Sequence, residues 1–408
     1  MKLEPVSGLE RQTLAFDDRI VGHVPGRHQR VDRVAIAVVG GDGIDDLLIG
    51  APGMGSGTAA ANQGGVYVIY GSNGGLGTGG VIHLGSLGSS EGVGITGAPG
   101  VDHLEDEAGF SVASAGDVNG DGFADFIVGG PDAQHQISGY GASFLVYGAG
   151  SGLPSGLSGA ATVTILGAEN YDSTGFSVSG AGDINGDGYS DLIVGIPSRW
   201  SGGADPGLHN ASWVIFGKAA QLGSNVGGVQ TIDLANMTSA DGFRIEGDTS
   251  SGYLGKSVSV LGDVNGDGYD DLAVSEPGQA RSWIVYGNGT GNFGTLSGGI
   301  NLLSLSDSSL LSFITTGKGA VLFHDVANKK PSEHIVGVGD VNGAGLEDFA
   351  VTDHMWEDSS GNTQVGRAYV VFGDENGFPL VVDTGTGTET YPGFISLDSM
   401  TPEKGFTI

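Results

Sequence analysis

Four short apolar runs form a set that recurs along the chain. In the clearest set, the first run follows Gly109 and ends at an acidic loop, and the second run leads from that loop to Pro131. The third run is stopped by Gly148, and the fourth covers Thr162–Leu166. Short runs that are rich in β-branched and aromatic residues and bounded by Gly are typical of β-strands. The pattern therefore predicts four strands in each set.

The repetition of this set predicts the fold class. The five sets cover approximately residues 34–97, 109–167, 175–247, 255–317 and 332–408. The fourth runs outside the second set are predicted at residues 92–97, 242–247, 312–317 and 405–408. Five units of four antiparallel strands indicate an all-β protein of the β-propeller type, which has 4–8 four-stranded blades. A β-solenoid is the alternative, but its repeats are usually much shorter.

The acidic loop between the first and second runs has the spacing of a cation-binding loop. It reads Asp-x-Asn-x-Asp-Gly-x-x-Asp, with side-chain oxygens at positions 1, 3, 5 and 9 and a main-chain carbonyl at position 7. Short loops wrap Ca²⁺ with such oxygen donors, and Gly at position 6 permits the sharp turn. The predicted ligands in the three complete copies are Asp117, Asn119, Asp121, Phe123 and Asp125; Asp183, Asn185, Asp187, Tyr189 and Asp191; and Asp263, Asn265, Asp267, Tyr269 and Asp271.

Two flanking copies of the loop are incomplete. The fifth keeps Asp340, Asn342, the carbonyl of Leu346 and Asp348, but Ala344 replaces the position 5 carboxylate, so we expect weak binding or none. The first copy, which contains Asp42, has Val and Gly at positions 1 and 3 and is predicted to bind nothing. About three structural Ca²⁺ ions are therefore expected. The alternatives are Asx-turns without metal, and Mg²⁺, which prefers a smaller octahedral shell with several waters.

Composition narrows the range of partners. The chain of 408 residues has 47 acidic and 16 basic residues, a formal net charge of −31 and no Cys. A strongly acidic chain is a poor ligand for nucleic acid or anionic membranes. No apolar run is long enough to span a bilayer, and no signal peptide is visible. Residues 1–33 hold six of the 16 basic residues and are interpreted as a leader or linker, with a basic contact arm as the alternative.

No catalytic constellation stands out. Residues 88–92 match the Gly-x-Ser-x-Gly elbow of hydrolases, but a chain with 79 Gly gives such matches by chance, and no helix is predicted to follow. We therefore predict that the chain is not an enzyme and has no catalytic residues.

At the repeats, the chain resembles the FG-GAP repeat family, the building block of the integrin α-subunit propeller and of many bacterial surface proteins. The resemblance is carried by residues 109–112, the loop at 117–125, residues 128–131 and their partners in the other sets. It covers about residues 30–408, while residues 234–245 and 397–408 look like the variety found in large bacterial adhesins. The related integrin propeller has seven blades, within the 4–8 range of the fold, whereas five repeats are detectable here.

The resemblance implies a calcium-binding propeller that acts in adhesion or ligand recognition, outside the cell or at its surface. Its partner would be a protein or glycan ligand on a surface. Extracellular Ca²⁺ modules often bind at 10⁻⁴–10⁻³ M, which agrees with such a setting. Two alternatives remain open at this point: a lectin-like propeller that binds carbohydrate, and a non-catalytic propeller within a larger secreted enzyme that degrades polysaccharide or lipid.

Overall fold

The computed structural model describes most of the chain in segments. They are residues 23–24, 27–28, 34–37, 39, 42–54, 63–74, 76–77, 81–97, 107–131, 141–150, 152–159, 161–168, 172–197, 210–219, 221–247, 252–291, 293, 300–301, 318–323, 334–353, 366–378, 380–383, 388–391, 394–397 and 401–408. Within the predicted basic segment 1–33, only a short antiparallel pair is described, β1 (His23–Val24) with β2 (Arg27–His28).

Five antiparallel units of four strands make up the core of the molecule, and within each unit the strands pair in the order in which they occur along the chain. Sheet 1 consists of β3 (Val34–Ala37), β4 (Asp46–Gly50), β5 (Gly65–Ile69) and β6 (Gly92–Thr96). Sheet 2 consists of β7 (Ser111–Gly116), β8 (Asp125–Gly130), β9 (Ala142–Val146) and β10 (Thr162–Leu166). Sheet 3 consists of β11 (Ser177–Gly182), β12 (Asp191–Ile196), β13 (Ala211–Ile215) and β16 (Gly242–Glu246). Sheet 4 consists of β17 (Val258–Gly262), β18 (Asp271–Glu276), β19 (Arg281–Val285) and β21 (Gly319–Phe323). Sheet 5 consists of β22 (His334–Gly339), β23 (Asp348–Asp353), β24 (Arg367–Val371) and β28 (Gly405–Thr407).

The remaining strands lie in the connections between the third and fourth strands of a repeat. They are β14 (Ser224–Val226), β15 (Val229–Asp233), β20 (Ile300–Asn301), β25 (Leu380–Asp383), β26 (Thr388–Tyr391) and β27 (Phe394–Ser396). Strands β15, β20 and β27 each pair in parallel with the fourth strand of the preceding sheet. In the second repeat, the N–H of Leu157 donates to the carbonyl of Thr96 in sheet 1. Each of these connections therefore reaches back and covers the outer edge of the sheet before it.

Helical structure is minor. The described helices are single 3₁₀ turns at Leu84–Ser86, Leu234–Asn236 and Pro277–Gln279. Across the described segments, no helix combines the length and the apolar character needed to cross a membrane.

The all-β class and the four strands per repeat are confirmed, with one strand misplaced. The fourth strand of sheet 4 was expected at residues 312–317, which lie outside the described residues. The strand that pairs with β19 is instead Gly319–Phe323, so the fourth repeat extends beyond its predicted end. Its residues Ala320, Val321 and Leu322 are buried in the core between sheets 4 and 5 or beside it.

Successive sheets pack through their first strands and share apolar cores. Strand β3 packs against β7, β7 against β11, β11 against β17, and β17 against β22. Four clusters of buried apolar side chains fill the four spaces between neighbouring sheets. In the described part of the chain, no comparable packing joins β22 back to β3. The structure thus gives the blade-like sheets and their order, while closure into a propeller ring stays a prediction.

Candidate metal centres

The predicted loops connect the first and second strands of sheets 2 to 5. In sheet 2, Asp117 directly follows β7 and Asp125 is the first residue of β8. A β-bulge between Ser114 and Gly116 precedes the loop, and the same irregularity occurs in sheets 3, 4 and 5. Bulges change the direction of one strand and often lie beside functional sites. The structure therefore brings each set of predicted ligands into one tight β-hairpin.

The aspartate at position 9 is a buried anchor in every repeat. Both oxygens of Asp125 accept backbone hydrogen bonds, Oδ2 from the N–H of Val118 at 2.9 Å and Oδ1 from the N–H of Gly148 at 2.8 Å. Asp191, Asp271, Asp348 and Asp46 make the same pair of contacts in their own sheets. One carboxylate thereby joins the ends of three strands, and the N–H of the residue that stops each third strand is one of its two donors.

Three of these buried carboxylates are disfavoured in their charged form when no cation is beside them. Desolvation raises the pKa of Asp125 to about 7, and it raises those of Asp191 and Asp271 to about 8. The carboxylates at positions 1 and 5 of the same loop add to this rise, whereas the two backbone N–H donors oppose it. A positive charge beside the three carboxylates would favour their ionised forms.

The side chains at positions 1, 3 and 5 curl the loop by local hydrogen bonds. The carboxylate of Asp117 accepts from the N–H groups of Gly120 at 2.7 Å, Asp121 at 3.0 Å and Gly122 at 2.9 Å. Asn119 Oδ1 accepts from the Asp121 N–H, and Asp121 Oδ1 accepts from the Phe123 N–H. These contacts are Asx-turns, which are also the structure expected if the loops bind no metal. The loops at 183–191 and 263–271 repeat them closely.

The chemistry of the donor set fits a hard cation, although no ready-made carboxylate cluster is present. Among the described residues, no group of three or more His, Cys, Asp or Glu is arranged so that it could hold a metal ion. Each complete loop nevertheless offers three carboxylates, one amide oxygen and one main-chain carbonyl, and oxygen donors of this kind are the ligands that Ca²⁺ takes. Calcium binding by these loops therefore remains a prediction.

The incomplete loops show which of these hydrogen bonds form without the full set of predicted ligands. In the fifth loop, the Asp340 carboxylate accepts from Gly343, Ala344 and Gly345, as Asp117 does in its own loop. The Gly345 N–H is the main reason why the pKa of Asp340 lies below its usual range. The turn therefore forms without a carboxylate at position 5. In the first loop, Asp42 accepts from Ile44, and the residues at positions 1 and 3, Val38 and Gly40, lie outside the described residues.

Neighbouring loops touch one another, a contact that the sequence did not predict. The ring of Tyr189, at position 7, lies over Gly120 of the preceding loop, where an added Cβ would come within 2.5 Å of Cε1. The N–H of Ser190 donates to the carbonyl of Asp117 at 3.1 Å. Tyr269 lies over Gly186 in the same way, and Asp270 Oδ2 accepts from the N–H of Asp183 at 2.9 Å. The loops of sheets 2, 3 and 4 thus form a continuous series.

Comparison with known proteins agrees with this architecture. The model of the FG-GAP repeat family matches residues 108–153, 174–204 and 254–295, which contain the three complete loops. Integrin alpha-V from Gallus gallus is 31% identical over 180 residues, covering 44% of this chain and 15% of the integrin. Phosphatidylinositol-glycan-specific phospholipase D from Bos taurus is 29% identical over 298 residues, covering 58% of this chain and 34% of that protein. Integrin alpha-PS2 from Drosophila melanogaster is 34% identical over 171 residues, covering 40% of this chain and 11% of the integrin.

The chain therefore matches only a part of each relative, at most about a third of its length. The family match, the integrin relatives and the repeated four-stranded sheets agree with one another: the chain contains FG-GAP repeats and is similar over part of its length to the integrin α-subunits.

Proposed function

We propose that this protein is a calcium-binding β-propeller that serves as an adhesion or ligand-recognition module outside the cell or at its surface. The observation that carries the metal assignment is the buried aspartate at position 9 in three loops that each hold four further oxygen donors. Burial without a cation disfavours the charged form of Asp125, Asp191 and Asp271. The integrin relatives support the adhesive role.

The proposed role of the metal is structural. Bound Ca²⁺ would supply positive charge to carboxylates that otherwise repel one another. The side chains of Asp117, Asn119 and Asp121 would hold it together with Asp125 and the carbonyl of Phe123, and the corresponding residues would do so in the loops at 183–191 and 263–271. Since Asp125 also joins three strand ends, ordering the loop stabilises the whole sheet. A ligand that binds only the native state adds about 2.7 kcal/mol at 100 times its Kd.

Thermal unfolding tests the metal assignment. We expect EDTA to lower the melting temperature and added Ca²⁺ to restore it, because chelation removes charge neutralisation from three loops. Circular dichroism or scanning fluorimetry at matched ionic strength measures the effect, and Mg²⁺ serves as the control cation. An unchanged melting temperature in EDTA, with Ca²⁺ equally without effect, would remove the basis of the proposal.

The class of ligand needs a separate experiment. A glycan array and a panel of immobilised surface proteins distinguish the adhesive role from the lectin-like alternative. Saturable binding to one group of glycans, with no retained protein ligand, favours the lectin-like propeller.

The phospholipase D relatives favour a third candidate, a non-catalytic propeller attached to a degradative enzyme. In this case the chain alone would bind polysaccharide or lipid substrate without turning it over. Measurable hydrolysis by the chain itself would contradict both this candidate and the proposed non-enzymatic role.

A further inference from the structure

Each complete loop is flanked by two residues of the following repeat. The first is the residue at position 8 of the next loop, whose side chain lies against the Gly that directly precedes the position 1 ligand. These contacts are Ser190 against Gly116, Asp270 against Gly182 and Glu347 against Gly262. In the second case, Asp270 Oδ2 also accepts a hydrogen bond from the N–H of Asp183 at 2.9 Å. The position 8 side chain therefore reaches the start of the preceding loop.

The second flanking residue directly follows the Gly that stops the third strand of the next sheet. Its N–H donates a hydrogen bond to the carbonyl at position 2 of the preceding loop. The donors and acceptors are Lys218 with Val118 at 3.0 Å, Asn288 with Ile184 at 2.9 Å, and Asp374 with Val264 at 2.9 Å. We call the two residues the flanking pair of the loop.

The contacts repeat from loop to loop, but the charge of the flanking pair changes. The pairs are Ser190 and Lys218 for the loop at 117–125, Asp270 and Asn288 for the loop at 183–191, and Glu347 and Asp374 for the loop at 263–271. They bring no carboxylate to the first of these loops, one to the second and two to the third. The ammonium group of Lys218 lies 3.5 Å from Asp241 Oδ1, which partly compensates its charge. The negative charge beside the loops therefore rises along the chain.

Asp374 lies within electrostatic range of the loop at 263–271. Tyr286 is buried, and desolvation is the main reason why the pKa of its hydroxyl is raised. The charges of Asp271, Asp374 and Asp267 raise this pKa further. A carboxylate of the fifth repeat and two predicted ligands of the fourth-repeat loop thus act on the same buried group.

We propose that each flanking pair sets the Ca²⁺ affinity of the loop in the preceding repeat, so that the loops fill in the order 263–271, 183–191 and 117–125. The inference rests on the proposed calcium-binding function and adds a ranking of the sites to it. The affinity of Ca²⁺ loops is tuned by the charge of their ligand sets. A flanking carboxylate adds Coulomb attraction for the cation without occupying a ligand position.

Chains that keep one complete loop give the three affinities separately. Replacing two of the three position 5 aspartates by Ala leaves a single full ligand set; these aspartates are Asp121, Asp187 and Asp267. All three are exposed, so their replacement leaves the buried core intact. Isothermal titration calorimetry with Ca²⁺ at low ionic strength should give the lowest Kd for the loop at 263–271 and the highest for the loop at 117–125.

Removal of the flanking charge tests the cause of this ranking. In the chain that keeps only the loop at 183–191, Asp270→Asn retains an oxygen that can accept the hydrogen bond from Asp183 but removes the charge. We expect the Kd to rise about fivefold, the size of the effect of one charge on a divalent ion near a protein surface, and the difference to shrink as salt screens it. Asp270→Glu keeps the charge and should retain most of the affinity.

A matched control accounts for the change in net charge. Glu246→Gln removes one negative charge at the end of sheet 3 that lies away from its loop, where Glu246 pairs with Ala211 and Ala211 with Ile196. In the same chain it should leave the Kd unchanged.

Addition of a charge gives an independent test in the opposite direction. In the chain that keeps only the loop at 117–125, Ser190→Asp places a carboxylate where the next repeat has Asp270. The Kd should fall about fivefold, since the added charge attracts the cation. Ser190→Asn has nearly the same size without the charge and should leave the Kd unchanged.

The results separate this inference from the calcium assignment. If neither the natural protein nor any of these chains binds Ca²⁺, both fail. If the chains bind Ca²⁺ but Asp270→Asn and Ser190→Asp act no more strongly than their controls, or equally at low and high salt, the flanking pairs do not set the affinity and the calcium assignment stands. A natural protein that binds Ca²⁺ while no single-loop chain does, or a reversed order of the Kd values, would also overturn the inference alone.

Discussion

The aspartate at the ninth position of each loop connects the loop to the end of the third strand by hydrogen bonds. Asp125 accepts one hydrogen bond from the start of its own loop and another from Gly148 beyond the third strand. This geometry explains why the third apolar run always stops at Gly. A side chain at Gly148 would collide with the carbonyl of Ala124, so a larger residue would displace the N–H from the carboxylate.

Substitutions in complete and incomplete loops are expected to differ in their effect on the number of Ca²⁺ ions bound. Asp187→Ala removes a predicted ligand from a complete loop and should lower the Ca²⁺ stoichiometry by one. Asp42→Ala, in a loop without the full ligand set, should leave the stoichiometry unchanged. Isothermal titration calorimetry of the two variants beside the natural protein measures the difference. If both variants lose one ion, or if neither does, our ranking of the loops is wrong.

At the scale of elements, the sequence predicted the sheets well and their connections poorly. The acidic loops and Gly-stopped runs repeat with a nearly constant spacing, so their strands could be recognised by comparing copies. Strands β15, β20 and β27 share no such signature, because their pairing with the preceding sheet is decided by distant residues. The contact of Tyr189 with Gly120 was missed for the same reason, although the large residue at position 7 and the Gly at position 4 were visible signals.

The contact between loops predicts that neighbouring calcium sites are coupled. In a chain with Asp187→Ala and Asp267→Ala, only the loop at 117–125 keeps its full ligand set. Adding Tyr189→Ala should weaken Ca²⁺ binding there by about tenfold, or about 1.4 kcal/mol, because the ring that covers Gly120 is lost. Calorimetric titration measures the Kd, and Tyr189→Phe, which keeps the ring, is the control.

The coupling would be excluded if Tyr189→Ala left the affinity of the 117–125 loop unchanged. Equal weakening by Tyr189→Phe would point to the hydroxyl rather than to ring packing. Either result would leave the assignment of the ligands untouched, because position 7 offers only its main-chain carbonyl.

At the scale of the whole molecule, the predicted carboxylate ligands and the apolar core lie in different places. Nine carboxylates of a chain with net charge −31 are predicted ligands in the three complete loops, and three bound Ca²⁺ ions would bring the formal charge to −31 + 6 = −25. The buried apolar side chains lie between successive sheets. Metal removal should therefore act first on the hairpins.

The number of calcium ions bound per chain tests the central claim most directly. Native mass spectrometry, with equilibrium dialysis as a check, can count them at Ca²⁺ concentrations up to the 10⁻⁴–10⁻³ M range that is typical of extracellular modules. The three complete loops predict three ions per chain, lost one at a time when Asp121, Asp187 and Asp267 are replaced by Ala. A chain that binds no Ca²⁺ at these concentrations would contradict the account.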